Sequence, residues 1–490
     1  MSSSKSLFDV EFAADLLSVT KQTILSWVDA GRLKPVSIDG RGNPLFEWNS
    51  FVLFPQVADM DEDKWQAFLS IKPVRKYTSI ELFAGAGGLA LGLEQAGFEH
   101  VLLNEFMPEA CETLRINRPN WNVVEGDVSL IDFRHFKGKV DVVSGGFPCQ
   151  AFSYAGNRAG FEDARGTLFF EFARVIKETQ PKMFIGENVR GLLTHDNGKT
   201  IAVIKSVIAD LGYELVEPRI LKAIFYRVPQ KRERLLLIGV RKDLAKYFKY
   251  TWPQKAARMY TVRDALKKGE LYPCNVPVSE GQRYPQRKAE ILSMVPPGGY
   301  WRDLPVEVQK EYMKGSFYLS GGKTGMARRL SWNAPSLTLT CAPAQTQTER
   351  CHPEESRPLT VREYARIQTF PDEWKFAGSQ AIQYKQIGNA VPVNLAYAIG
   401  LSVIDALNHL PKISRSAVVS DKTDYRLTEK SRRPPMSQLR LAIEKKKKYK
   451  GGEKGDVAKA RGKAVGRKIV GGKAKQLKSV KARYVKPKHG

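Results

Sequence analysis

The chain has 490 residues, 42% of them hydrophobic, and a formal net charge of +27 at pH 7. That length allows two or three domains, and the charge points to a polyanionic partner. No apolar run approaches a membrane span, and no secretory h-region follows Met1. The five cysteines (Cys111, Cys149, Cys274, Cys341, Cys351) are scattered and odd in number. They argue against a disulfide framework and for a reducing cytoplasm, and none has zinc-ligand spacing, so no metal is expected.

Residues 1–70 read as a small module and its linker. Val10, Phe12, Ala13, Leu16 and Leu17 have helical spacing. Thr20 is placed to cap a second helix, along which Ile24, Trp27 and Val28 continue the apolar face until Gly31 stops it. Leu33 to Phe46 alternates around Asp39-Gly40, a hairpin signal. Two helices and a hairpin in this order resemble the winged helix-turn-helix of excisionase-like and MerR-like DNA-binding modules. That resemblance implies that Lys21, Gln22 and Thr23 face a major groove.

From Tyr77 strands and helices alternate. Ser79–Phe83, Val101–Leu103, Val123-Val124, Val140–Val143, Lys182–Ile185 and Leu235–Val240 read as strands. Helical segments such as Thr167–Thr179 and Lys199–Leu211 lie between them. The pattern predicts an α/β fold with a mostly parallel sheet and helices on both faces over residues 77–240. In such sheets ligands bind at the carboxyl ends of strands. The glycines after Phe83, then Glu105, Asp127, Cys149 and Glu187, all fall there.

Residues 241–357 lose this rhythm and read as a second, smaller domain. Residues 358–410 return to helix, ending in an apolar stretch after Pro392. Residues 411–490 form a basic tail. Leu441 to Gly490 holds eighteen Lys or Arg against three acids, a balance of +15. With so few aromatics this stretch cannot bury enough surface to order itself, and disorder is expected.

Phe83-Ala84-Gly85-Ala86-Gly87-Gly88 allows close approach of a ligand to the backbone but lacks dinucleotide-site spacing. With Glu105 to accept ribose hydroxyls and Asp127 to accept from an adenine amine, it reads as a nucleoside site without a pyrophosphate anchor. S-adenosylmethionine fits such a site. Cys149 follows a strand in a Gly-Gly-Phe-Pro turn, where a thiolate can act as nucleophile. Glu187 opens Glu-Asn-Val and could hold a proton against a ring nitrogen. Gln230, Arg232 and Arg234 alternate on one face of an extended segment and could grip a phosphate and a carbonyl oxygen.

Five motifs occur in one order: Phe-x-Gly-x-Gly at 83–88, Pro-Cys-Gln at 148–150, Glu-Asn-Val at 187–189, Gln-x-Arg-x-Arg at 230–234 and Gly-Asn-x-Val at 388–391. In order and spacing the chain resembles the DNA (cytosine-5) methyltransferases, in the arrangement of bacterial restriction-modification enzymes, over about residues 77 to 405. The resemblance implies a Rossmann-like methyltransferase sheet and S-adenosylmethionine as cofactor. It implies that Cys149 attacks C6 of a cytosine flipped out of duplex DNA, that Glu187 bonds N3 and the exocyclic amine, that Arg234 binds O2, and that Arg232 binds a nearby phosphate. Phe83, Ala84, Gly85, Gly87, Gly88, Glu105, Phe106, Asp127, Val128, Pro148 and Asn389 would line the cofactor. Gln150 to Arg165 would be a mobile loop, with Gln150 and Ser153 meeting DNA.

The family keeps its target-recognition region where residues 241–357 lie. Thr338, Thr340, Gln345 and Gln347 are the candidates for base readout there. The partners implied are double-stranded DNA, no membrane, and a restriction endonuclease encoded nearby; the protein would act as a monomer, cytoplasmic and nucleoid-associated in a bacterium. The N-terminal module could bind the gene's own promoter, and the Lys-rich tail would add salt-dependent phosphate attraction. Two other readings stand beside this one. An inactive DNA-binding regulator is opposed by the intact Cys149, Glu187 and Arg234. An RNA cytosine-5 methyltransferase is opposed by the helix-turn-helix and the long recognition region.

Overall fold

Asp9 accepts a hydrogen bond from Phe12 N at 2.8 Å and so starts α1 (Val10–Leu17). The computed structural model of the chain describes residues 7–40, 42–148, 168–321 and 323–411. Thr20 caps α2 (Lys21–Asp29) by accepting from Thr23 N at 3.1 Å, as the sequence predicts, and Gly31 follows at a φ of 68°. β1 (Ser37–Ile38) and β2 (Pro44–Leu45) pair antiparallel, and the Asp39 carboxylate takes Asn43 N at 2.8 Å to close the turn. Two short helices and a two-residue ribbon bury too little to stand alone. Phe12, Leu16, Ile24, Phe46 and Phe51 therefore share one hydrophobic cluster with Tyr77, Phe225, Val228 and Leu395. Packing is continuous across residue 70, where the sequence pattern suggests a separate module.

The central sheet begins with five parallel strands: β3 (Tyr77–Leu82), β4 (Phe98–Glu105), β5 (Val123–Glu125), β6 (Val142–Gly146) and β7 (Met183–Val189). Their spatial order is β5-β4-β3-β6-β7. β8 (Tyr213–Leu215) and β9 (Arg219–Lys222), which the apolar pattern does not announce, extend the sheet. β10 is Gln230–Lys231, and β11 (Glu233–Arg241) runs antiparallel to β7, β8 and β9. The sheet is thus mixed rather than mostly parallel beyond β7. The link from Lys222 to Glu233 is too short for the crossover that a parallel pair needs, so the chain must turn back.

That reversal matters for the site. The start of an antiparallel strand lies at the same edge as the ends of its parallel neighbours. Arg234 is thereby registered against Val189, beside Glu187.

The helix Gly88–Ala96 follows the glycine loop and is stopped by Gly97 at a φ of 110°. It packs on the apolar helix Val393–Asn408 so closely that a Cβ on Gly92 would meet Ala396 Cβ at 2.4 Å. The stretch Gln380–Asn408 is long and apolar enough by composition to cross a membrane, but 78% of its most apolar window is buried inside the fold. Between β11 and residue 357 lie short helices, such as Gln286–Ser293 and Val306–Met313, around their own cluster of Leu292, Trp301, Leu304, Met313 and Cys351. A two-residue strand, β12 (Ser336–Leu337), joins this part to β10 in parallel.

Candidate active site

Glu187 sits near the end of β7, paired in register with Gly146 of β6. A Cβ at residue 146 would lie 2.8 Å from Glu187 Oε2, so only glycine leaves room for the carboxylate. Glu187 Oε1 forms an ion pair with Arg234 Nε, and both residues are about 9% exposed. A pair this enclosed holds its geometry, because breaking it would strand a charge away from water. A cleft of about 340 Å³ opens beside Arg234, lined also by Val189, Arg190, Lys231 and Thr338.

The turn after β6 is held from the same strand. Asn188 Nδ2 donates to Phe147 O at 2.7 Å, and the Phe147 ring packs against Phe169 and Phe172. Pro148 is exposed at the end of this supported turn. Asn188 therefore holds the main chain at Phe147, a task the motif reading does not assign to it. Cys149, Gln150, Ser153 and the loop 150–165 lie outside the described residues.

The Gln-x-Arg-x-Arg segment is divided in its roles. Gln230 is fully buried; its Nε2 donates to Gln368 Oε1 at 2.9 Å and its Oε1 accepts from Leu339 N at 3.0 Å. Arg232 is 2% exposed and donates to the carbonyls of Leu339, Gly388 and Asn389 at 3.0 to 3.3 Å. Burial, reinforced by the like charge of Arg234, pushes its pKa well down. Arg232 donates to main-chain carbonyls inside the protein and ties the segment after Gln380 to the sheet. Arg234 and Arg232 both line the cleft, and Arg234 is the one that pairs with Glu187. Gln368, whose Nε2 donates to Ile387 O at 2.6 Å, belongs to the same brace and carries no sequence signal of its own.

At the end of β3 the chain turns through Phe83 at a φ of 57° and Gly85 at 54°. Left-handed backbone at a non-glycine residue costs on the order of 1–3 kcal/mol and concentrates at ligand sites. A Cβ on Gly85 would meet nothing within 4 Å, so this glycine borders open space. Gly87 and Gly88 are different: added Cβ atoms would strike Leu114 at 2.7 Å and the Val391 carbonyl oxygen at 2.2 Å. At these two positions close packing alone requires glycine. Ala84 N bonds back to Asn104 O at 3.0 Å.

Glu105 accepts from Gly85 N and Met107 N at 2.8 Å each, one on each oxygen. A carboxylate has about four acceptor positions, so these bonds orient it and leave capacity for hydroxyls. Phe106 follows, a residue 64% exposed, whose ring is an apolar face fit for a flat heterocycle. Asp127 Oδ1 accepts from Ser129 N at 2.9 Å, and Val128 is buried beneath. Asn389 is exposed, and its Oδ1 accepts from Cys341 Sγ at 3.2 Å. Open space at Gly85, two oriented acids and an exposed aromatic ring fit a nucleoside-bearing cofactor such as S-adenosylmethionine.

The residues expected to meet DNA separate into two sets. Thr338 donates its hydroxyl to Lys231 O, and Thr340 bonds Ala342 O and Thr348 Oγ1 at 3.2 Å each. These two threonines join β12 to its neighbours, and Thr338 also lines the cleft beside Arg234. Gln345 and Gln347 are exposed on the turn around Thr346–Thr348. In α2, Gln22 is exposed, Lys21 pairs with Glu11 at 2.7 Å, and Thr23 is tied to Thr20.

Residues 77–405 match the C-5 cytosine-specific DNA methylase family. The chain is 62% identical over 408 residues to the type II methyltransferase M.Eco47II of Escherichia coli, covering 83% of this chain and 98% of that protein. It is 59% identical over 405 residues to the type II methyltransferase M.PspPI of Psychrobacter sp. (strain TA137), covering 83% and 97%. It is 51% identical to the type II methyltransferase M.Sau96I of Staphylococcus aureus, covering 70% and 80%. Among solved structures it is similar to a protein described as a DNA modification methyltransferase encoded within an E. coli prophage, with TM-score 0.53, 25% identity, and coverage of 68% of this chain and all of that one.

Proposed function

The chain belongs to the C-5 cytosine-specific DNA methylase family, and on that premise we propose how its residues divide the work of methylating cytosine. It is a DNA cytosine-5 methyltransferase that takes its methyl group from S-adenosylmethionine. In our reading it is the modification enzyme of a restriction-modification system, its relatives being named type II methyltransferases, and it works as a monomer beside a separately encoded endonuclease.

The observation that carries the site assignment is the Glu187–Arg234 pair at the carboxyl edge of the sheet, one strand away from the turn leading into Cys149. In the proposed reaction the Cys149 thiolate adds to C6 of a flipped cytosine. Glu187 bonds N3 and the exocyclic amine as charge builds on the ring, and Arg234 bonds O2. C5 then carries the electron pair that accepts the methyl group. Loss of the C5 proton to solvent expels the thiolate and restores the ring. Glu105 holds the cofactor's ribose, Phe106 stacks on its base, and Gly85 leaves space for it. Gln345 and Gln347 are the described residues best disposed for base readout.

The test is base-resolution conversion sequencing of DNA from cells expressing the protein, beside a Cys149→Ala control. Methylcytosine in one short context, lost in the control, is expected. Blank maps from both folded proteins would reject the assignment.

We also propose that α2 binds the gene's own promoter. Residues 12–60 share a core with the catalytic body, so deleting 1–70 would disturb methylation as well as any repression. Substituting exposed Gln22 avoids that. Derepression of the gene's own promoter with methylation intact is expected, and unchanged expression would sink the idea.

A further inference from the structure

Lys231 lies inside the Gln-x-Arg-x-Arg segment, between the buried Gln230 and Arg232. Its main chain is held by β12, with Lys231 opposite Leu337 and its carbonyl accepting from Thr338. Its side chain points the other way and is mostly buried. There Glu11 Oε1 meets its ammonium at 2.5 Å and Asp15 Oδ2 meets it at 2.7 Å. Both acids lie one turn apart on α1, so one helix face presents two carboxylates to one cation.

Glu11 does more than neutralise Lys231. Its Oε1 also lies 3.3 Å from Arg328 Nη2, and its Oε2 lies 2.7 Å from Lys21 Nζ. One carboxylate thus joins α2, the Gln-x-Arg-x-Arg segment and the part of the chain after β11. Burial opposes its charge, yet the three cations together hold its pKa well below the usual carboxylate range. The neighbouring Asp15 is pushed up by burial, which Lys231 only partly offsets.

We infer that α1 is a positioning element of the methyl-transfer site: Glu11, assisted by Asp15, fixes the Lys231 backbone register and so aims Arg234, three residues along, at the reacting cytosine. Neither acid touches the substrate. Lys231 is the intermediary, since it carries the constraint from α1 into the strand that begins at Glu233. The Arg328 contact couples the same point to the chain that reads DNA. This rests on the assignment of Arg234 to the cytosine ring.

The test is a double-mutant cycle in the full-length protein: Glu11→Gln, Lys231→Gln and the pair. Single-turnover methylation at saturating duplex and cofactor is read beside the KM for S-adenosylmethionine and the melting temperature. A misplacement on the order of 1 Å costs up to ~100-fold in rate, so Glu11→Gln is expected to slow methyl transfer roughly tenfold or more, with the cofactor KM unchanged. The double variant should be no slower than the slower single one. An unchanged rate in Glu11→Gln, or losses that multiply in the pair, overturns the inference. Should Glu11→Gln fail to fold, the same cycle with Asp15→Asn decides. Arg234→Ala is run alongside. If it methylates at the wild-type rate, the site assignment itself is wrong, whereas an inactive Arg234→Ala with multiplying losses removes the α1 coupling alone.

Discussion

Gly146 and Glu187 face each other across adjacent parallel strands so closely that any side chain on the first would press on the carboxylate of the second. Glu187 is in turn held by Arg234 on an antiparallel strand. Three strands thus determine the position of one carboxyl group. Gly146→Ala is expected to keep the fold, because the obstructing atom ends a side chain, but to cut kcat by ~100-fold through misplacement. Glu187→Gln keeps the shape and removes the charge. Its expected loss is ~10²–10⁴-fold, the usual range for a group that manages a proton in the transition state. Steady-state kinetics with a thermal melt on each variant checks both. A Gly146→Ala enzyme with wild-type kcat would mean the carboxylate has slack that its ion pair does not indicate.

The two kinds of glycine in the loop after Phe83 should respond differently. Gly88→Ala drives a Cβ into the Val391 carbonyl, a main-chain atom that cannot swing aside. Its cost should exceed the ~1–3 kcal/mol typical of overpacking, read as a large drop in the denaturant midpoint. Gly85→Ala meets no atom but must adopt a φ of 54°, a strain of roughly 1–2 kcal/mol. Its main effect should be weaker binding of S-adenosylmethionine in a calorimetric titration. Equal damage to folding from both substitutions would contradict the distinction.

A buried acid makes stability depend on pH. Glu81 lies inside β3, fully enclosed, bonded to the Ser144 hydroxyl at 3.2 Å, and burial lifts its pKa to about 8. Unfolded, it would ionise near 4.5. The folded state therefore keeps a proton that the unfolded state loses, and stability from this group is complete below about pH 4.5 and falls as pH rises toward 8. The urea midpoint is expected to decline between pH 5 and 8, and Glu81→Gln, which stays neutral, should flatten that decline. A slope unchanged by the substitution would assign it to other groups.

The basic tail lies outside the described residues, so its prediction comes from composition. Each phosphate neutralised contributes a slope of roughly −0.9 in log affinity against log salt. Removing Leu441–Gly490 should make DNA binding less salt-dependent while leaving the methylated sequence context unaltered. An unchanged salt slope would show that the tail does not meet DNA.

Much of this protein is written locally in its sequence. The parallel strands, the Thr20 cap, the Gly97 stop and the order of the five motifs follow from apolar spacing, capping residues and short strings that each need only their neighbours. The same local signals put Glu105, Asp127 and Glu187 at strand ends. They could not separate Arg232 from Arg234, because alternation describes a strand's faces and not what covers them. Burial of one face beneath Leu339 and Gly388 turned Arg232 into a brace. Nor could they reveal that Glu11 meets Lys231, 220 residues away. Such a contact leaves no periodicity. It exists only because two short helices lack enough surface to fold alone and dock on the sheet instead, and because a link too short for a crossover reverses β11 and brings Arg234 to the edge where Glu187 waits.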